Sequence, residues 1–219
     1  MSTTLTEENY LKAIFHLSQK VEKEVSTNAI ARSVNAKASS VTDMLKKLAD
    51  KDFISYIKYK GVELTEKGRL TAVDIIRKHR LWEVFLVEKL NFSWDEVHEI
   101  AEDLEHVRSE KLIDELDAFL DFPTEDPHGD LIPDKDGNFK KIEKIPLSQS
   151  EVGNIYKCIG VKDTSSTFLQ YLDNNNIGLG MSLEVIYKEP FDNSITIKLK
   201  EKEMTVSQNV AKNLFLKKM

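Results

Sequence analysis

Six side chains of metal-ligand type fall within 28 residues of this chain: His79, Glu83, His98, Glu102, Glu105 and His106. The four from His98 onward are spaced i, i+4, i+7 and i+8, which is one face of an α-helix. His79 and Glu83 form another i, i+4 pair on the preceding segment. A solvated acidic face accounts for Glu99 and Asp103 but not for the histidines. Carboxylates as close as Glu102 and Glu105 repel unless a cation or a proton lies between them. The chemistry implied is the binding of divalent metal. Oxygen and imidazole donors without thiolate suit Mn(II) or Fe(II), with Zn(II) and Co(II) binding in vitro.

The elements that must position these residues follow from periodicity. His79 and Glu83 sit in a long helix expected over 66–89 and opened by Thr65. Ser93 and Glu96 have the spacing of a capping box for the His98 helix, and a further helix is expected from Ser109 to Leu120. Upstream, Thr6 is the expected cap of a first helix carrying Tyr10, Leu11, Ile14, Phe15 and Leu17. A short helix follows Ser26, the stretch Val34–Ala38 turns the chain, and a third helix buries Val41, Met44, Leu45 and Leu48. That order is the pattern of a helix-turn-helix. Aromatic and β-branched residues on both sides of Lys60-Gly61 predict a hairpin over 53–64, making a winged helix. Residues 121–143 hold all of Pro123, Pro127, Gly129, Pro133 and Gly137 and read as a loop or linker. Strands are expected at Val152–Gly160, Leu183–Tyr187, Ile195–Leu199 and Glu203–Val206, with a helix near Ser165–Asn174.

The domains expected are 1–73, a winged helix-turn-helix; 74–143, a helical metal-binding unit with linker; and 144–219, a small β-rich unit. The fold class is mainly α with small β parts. Charge follows the same division. Residues 1–80 carry 15 Lys/Arg against 10 Asp/Glu, 81–140 carry 5 against 18, and 141–219 carry 11 against 9, within a net charge of −6. A basic reader joined to an acidic middle fits a DNA-binding unit coupled to a cation-binding one. On the third helix Ser39, Ser40, Thr42, Asp43, Lys46 and Lys47 lie off the apolar face. The short side chains suit base edges or phosphates. Lys46, Lys47, Lys58 and Lys60 suit phosphates. Cys158 is the only cysteine, which excludes an intrachain disulfide and a cysteine-rich zinc site. The sequence shows no secretory signal and no membrane-length apolar run, so the cytoplasm is expected.

With these residues in place, the whole chain resembles the diphtheria toxin repressor family of metal-dependent transcription regulators. The strings RKHRLWE (77–83), HEIAEDLEHV (98–107) and DPHGDLIP (126–133) carry the resemblance. It implies a homodimer that binds double-stranded operator DNA as a repressor when loaded with metal, and a C-terminal SH3-like β-barrel domain. By resemblance, His79, Glu83 and His98 match an ancillary metal site. Glu102, Glu105 and His106 match a primary one, with Asn9 where the first helix contributes. Iron-type members carry Cys at the place of Glu102, so this chain resembles the manganese branch. Lys12 stands where small manganese members have a carboxylate for a second ion. Thr164 and Thr167 replace the C-terminal Glu and Gln ligands of iron-type members. Asp163 is the substitute expected at the ancillary site, and Asp126 is expected to add an oxygen to the primary one. Two rivals are weighed: a winged-helix regulator of an organic ligand, and a metal-dependent hydrolase using Glu102 or Glu105 as base. The hydrolase needs an open coordination position, and no nucleophile motif or Gly-rich phosphate loop accompanies it. The chain is read as no enzyme.

Overall fold

The computed structural model describes residues 3–19, 24–57 and 61–219. Helix α1 (Leu5–Ser18) is capped by Thr4, not Thr6: the Thr4 hydroxyl accepts from the Glu7 N–H, and the Thr4 N–H donates to the Glu7 carboxylate. Both threonines precede an acidic turn, but only Thr4 has a Glu three residues on, and that reciprocal pair decides the start. Helices α2 (Thr27–Ser33) and α3 (Ala38–Asp50) follow, with Val41, Leu45 and Leu48 of α3 fully buried. Strands β1 (Ile54–Ile57) and β2 (Gly61–Leu64) pair antiparallel to make the wing, and Val25 bridges Val62 beside them. Lys58 and Lys60 lie outside the described residues.

Helix α4 (Glu66–Leu90) has 25 residues, a length of about 37 Å at 1.5 Å per residue. Thr65 caps it, and Gly68 lets its first turn lie against the wing: a Cβ there would sit 1.9 Å from the Phe53 carbonyl oxygen. The first half of α4 buries Ala72, Val73 and Ile76 in the winged-helix core with Tyr10, Leu11, Ile14 and Val41. Its second half buries Leu81, Trp82 and Val84 in a separate core with Ala101, Ile113 and Leu116. The expected boundary at 73/74 therefore falls within one continuous helix. His79 and Glu83 lie where its two cores meet.

Helix α5 (Val97–Leu104) starts later than the expected capping box implies. Glu96 does accept from the Ser93 N–H and hydroxyl, but these bonds close a turn before the helix. Helix α6 (Glu110–Phe119) is capped by Ser109. The segment 121–143 has neither helix nor paired strand beyond an isolated bridge between Glu125 and Leu131.

The C-terminal domain is a six-stranded antiparallel sheet closed around its own core, SH3-like in form. Its strands are β3 (Ile145–Pro146), β4 (Ile155–Val161), β5 (Ser182–Lys188), β6 (Ile195–Leu199), β7 (Lys202–Val206) and β8 (Leu214–Lys218), in spatial order β3-β8-β4-β5-β6-β7. Helix α7 (Ser166–Asn174) buries Phe168, Leu169 and Leu172 against it, and a short α8 (Gln208–Asn213) precedes β8. Alternating burial on β6 follows the period of 2 expected of a sheet with one wet face. Several hydrogen bonds hold this domain to the helical part, among them Gln170 Nε2 to Asp95 at 2.8 Å. The Val161 N–H donates to the His128 carbonyl at 2.9 Å, and Trp94 Nε1 donates to Asp173 at 2.9 Å.

Candidate metal centre

The centre is built around Glu83, which is 2% exposed. One carboxylate oxygen, Oε1, lies 3.0 Å from His79 Nε2 and 3.4 Å from His98 Nδ1. The other, Oε2, lies 3.6 Å from His128 Nδ1. Two groups of donors share this residue: His79, Glu83 and His98, and Glu83, Asp126 and His128. In each the donor atoms lie within 4.8 Å of one another. Helix α4 contributes His79 and Glu83 one turn apart, α5 contributes His98, and the loop after α6 contributes Asp126 and His128. A cavity of about 620 Å³ opens beside them and is also lined by Asn9, Lys12 and Thr164.

Local sequence explains the loop. Asp126 accepts from the N–H groups of His128 (2.8 Å) and Asp130 (3.0 Å), an Asx-type turn. Gly129, at φ +80°, runs so close to β4 that a Cβ would meet the Ile159 carbonyl oxygen at 2.0 Å. Only glycine allows both the left-handed backbone and this approach. The His128 Nε2–H donates to the Trp94 carbonyl at 2.7 Å, which fixes the ring and leaves Nδ1 facing Glu83.

The charges are those of buried carboxylates and imidazoles facing one another. Burial opposes the charge on His128, yet the facing Glu83 and Asp126 carboxylates outweigh it and hold the imidazole up to about 9. Burial raises Asp126 to about 7, helped by its proximity to Glu83 and Asp130 and opposed by Arg80. Burial acts to raise Glu83 as well. Hydrogen bonding from His128, His79 and His98 overrides it and holds Glu83 far below the carboxylate range. His79 is pushed up by Glu105 and Glu83 against its burial. Protons thus do in this cluster what a divalent cation does better, and the donor set fits such an ion: buried carboxylates and imidazoles, no thiolate.

The remaining expected ligands are placed differently. Helix α5 ends at Leu104, so Glu105 and His106 leave the helical stripe. Glu102 and Glu105 converge on Lys12 of α1, and Glu105 Oε1 lies 3.8 Å from His106 Nε2. His106 Nδ1 pairs with Glu8 Oε2 at 2.6 Å. Asn9 is exposed and lines the cavity. Asp126 stands with Glu83 and His128, not with Glu102, Glu105 and His106, because its Asx turn anchors it on the loop that docks to β4. Asp163 belongs to neither donor group among the described residues; its Oδ1 accepts from the Ser165 N–H at the start of α7. Sequence reasoning missed His128 and Glu8. The signal for His128 was its place two residues after Asp126 and before a glycine.

On α3, Ser39, Ser40, Asp43, Lys46 and Lys47 are exposed. Thr42 is half-buried, and its hydroxyl donates to the Ala38 carbonyl. Lys46 and Asp43 form an exposed pair at 3.4 Å.

Comparison with known proteins agrees with this architecture. Residues 2–62 match the N-terminal DNA-binding domain of iron-dependent repressors, 65–134 their metal-binding and dimerisation domain, and 145–218 the FeoA domain. An uncharacterised HTH-type transcriptional regulator of Methanocaldococcus jannaschii is 35% identical over 114 residues, covering 52% of this chain and 91% of that protein. The iron-dependent repressor IdeR of Mycobacterium tuberculosis is 34% identical over 128 residues, 58% of this chain and 55% of its own length. Among solved structures, a manganese-dependent transcriptional repressor in complex with manganese superposes with a TM-score of 0.86 at 30% identity, covering 97% of this chain and all of that one. With three family domains in order, the chain belongs to the iron-dependent repressor family of metal-dependent transcriptional regulators.

Proposed function

We propose that this protein is a homodimeric repressor whose binding to operator DNA is switched on by divalent metal at the Glu83-centred cluster. Mn(II) is the ion its hard donors suit best, and Fe(II) is the alternative. The observation that carries this reading is that one buried carboxylate, Glu83, is shared by two imidazole-containing donor groups drawn from α4, α5 and the loop bearing Asp126 and His128. When bound, the ion supplies positive charge that satisfies these donors without protons. The residues themselves do the rest. Glu83 and His79 fix the junction of the two cores along α4. His98 ties α5 to that junction. His128 ties it to Trp94 and, through its own carbonyl, to β4. Asn9 lines the same cavity; it and Asp163 are secondary in this reading.

DNA is read by the exposed face of α3, with Ser39, Ser40, Thr42 and Asp43 toward bases and Lys46 and Lys47 toward phosphates. Lys58 and Lys60, which lie outside the described residues, are read from the sequence as further phosphate contacts. Leu90, Leu112, Phe119 and Phe122 are exposed on the helical domain, an apolar surface for a second copy. The protein is no enzyme and works in the cytoplasm; no helix among the described residues is long and apolar enough to cross a membrane. The test is enrichment of duplexes from a random pool with Mn(II), then anisotropy titration of the enriched duplex with Mn(II), with Fe(II) under anaerobic conditions, and with EDTA, at fixed salt. Metal-dependent affinity supports the reading; equal affinity in EDTA overturns it.

A further inference from the structure

Lys12 extends from α1 into the carboxylates at the C-terminal end of α5. Its Nζ lies 3.0 Å from Glu102 Oε1 and 2.7 Å from each oxygen of Glu105. An ammonium has three donors, and here all three have a carboxylate oxygen to meet. The setting is built: the Glu105 side chain is 0% exposed and that of Lys12 14%. The second Glu105 oxygen also meets His79 Nδ1 at 2.6 Å. His106, which a metal at this place would need, is held by Glu8 of α1 through Nδ1, while its Nε2 stays 3.8 Å from Glu105. Asn9 presents an amide where the family resemblance implies a ligand from α1. A divalent ion placed between Glu102 and Glu105 would lie against a buried ammonium of like charge. The residues present do not fit a metal here.

We propose that the Lys12 ammonium is a tethered cation standing in for a metal ion between Glu102 and Glu105. On this view α1 is joined to α5 permanently, by Lys12 with Glu102 and Glu105 and by Glu8 with His106. The tie between the DNA-binding and helical domains that metal would otherwise make is made by ion pairs whose cation belongs to the chain itself. Metal response is then left to donors on the other side of His79. The proposal does not depend on the ion at Glu83 being the activating one, since it concerns which carboxylates are already neutralised.

Counting ions tests it. The full-length wild type, Lys12→Met, Glu102→Gln and Glu83→Gln are dialysed against Mn(II) and protein-bound manganese is measured per chain. Lys12→Met removes the cation and leaves Glu102 and Glu105 uncompensated. It should bind one Mn(II) more per chain than the wild type, and Glu102→Gln should bind as many as the wild type. The same count in Lys12→Met as in the wild type overturns the proposal, and so does loss of an ion in Glu102→Gln. If Lys12→Met fails to fold, Glu102→Gln decides alone, because Glu102 is half-exposed and the change is nearly isosteric. Glu83→Gln separates the two readings. A lowered count there supports the Glu83 centre whatever Lys12 does, and an unchanged count overturns that centre while leaving the Lys12 result intact.

Discussion

On the proposed placement of the ion, loading the Glu83 cluster displaces protons from His128 and Asp126. The facing carboxylates hold His128 up to about 9, and burial holds Asp126 up to about 7. At pH 7 the imidazole is almost fully protonated and the carboxyl about half, so an ion bound by both releases about 1.5 protons. Between pH 7 and 9 apparent affinity should rise about tenfold per pH unit through His128 alone. Below pH 7 the slope steepens toward about a hundredfold per unit as Asp126 joins. Above 9 it flattens. His79, also raised, adds to the release where its ring is used. Isothermal titration of Mn(II) in buffers of different ionisation enthalpy measures the proton count directly. His128→Gln should lower that count by about one at pH 7. A release below about half a proton at pH 7 for the wild type, or a count unmoved by His128→Gln, would refute the placement of the ion beside His128.

Four further outcomes follow from the same geometry. In chelator, melting temperature should fall from pH 6 to 9.5. His128 is raised, so its stabilisation is fully present below about 6.5 and lost as pH rises through about 9; Asp126, raised to about 7, loses its own contribution as pH rises through that value. A flat or rising pH profile by calorimetry would contradict this. Glu83→Gln should weaken Mn(II)-dependent DNA binding by at least about a hundredfold, because both donor groups lose their shared carboxylate; an anisotropy titration showing under a tenfold change would contradict it. Gly129→Ala should cost about 1–3 kcal/mol through the left-handed backbone and the collision with the Ile159 carbonyl, read as a lower denaturant midpoint, and should weaken metal binding by displacing His128. Phe119→Glu should shift the protein toward monomer in light scattering, since this ring is 64% exposed on the apolar face assigned to the dimer.

The elements that bear the site were legible because each is long enough to show its period. Helix α4 carries a cap, a 25-residue stripe and a left-handed Asn91 at its end. Helix α3 reads plainly from Val41, Leu45 and Leu48. What periodicity missed is short or irregular: β3 has two residues, and α8 has six before passing directly into β8. The donor stripe on α5 was visible, but its destination was not. Spacing says which residues share a face and nothing about what faces them. Lys12 lies 90 positions from Glu102 and 93 from Glu105, and Glu8 lies 98 from His106. His98 thus faces Glu83, while Glu102, Glu105 and His106 meet Lys12 and Glu8 of α1, with Glu105 also reaching His79.

His128 shows why the loop matters more than its composition suggests. Read as sequence, DPHGD is a proline- and glycine-marked linker between two cores. In the fold its aspartate closes a turn on the backbone, its histidine side chain is aimed at Glu83, and its carbonyl is bonded to Val161 of β4. Any event that pulls His128 toward or away from Glu83 is therefore felt at the edge of the C-terminal domain, 33 residues later in the chain. The same His128 ring grips the Trp94 carbonyl, and Trp94 in turn donates to Asp173 in α7. The cluster around Glu83 is thus tied to the C-terminal domain through the His128 carbonyl and through Trp94. On its far side, His79 reaches Glu105 and, through it, Lys12 of α1. A run of hydrogen bonds and ion pairs connects the C-terminal domain to the first helix of the DNA-binding domain. On the proposed placement, a cation at the middle of that run would change its charge and so could bias the posture of a DNA-binding domain that it does not touch.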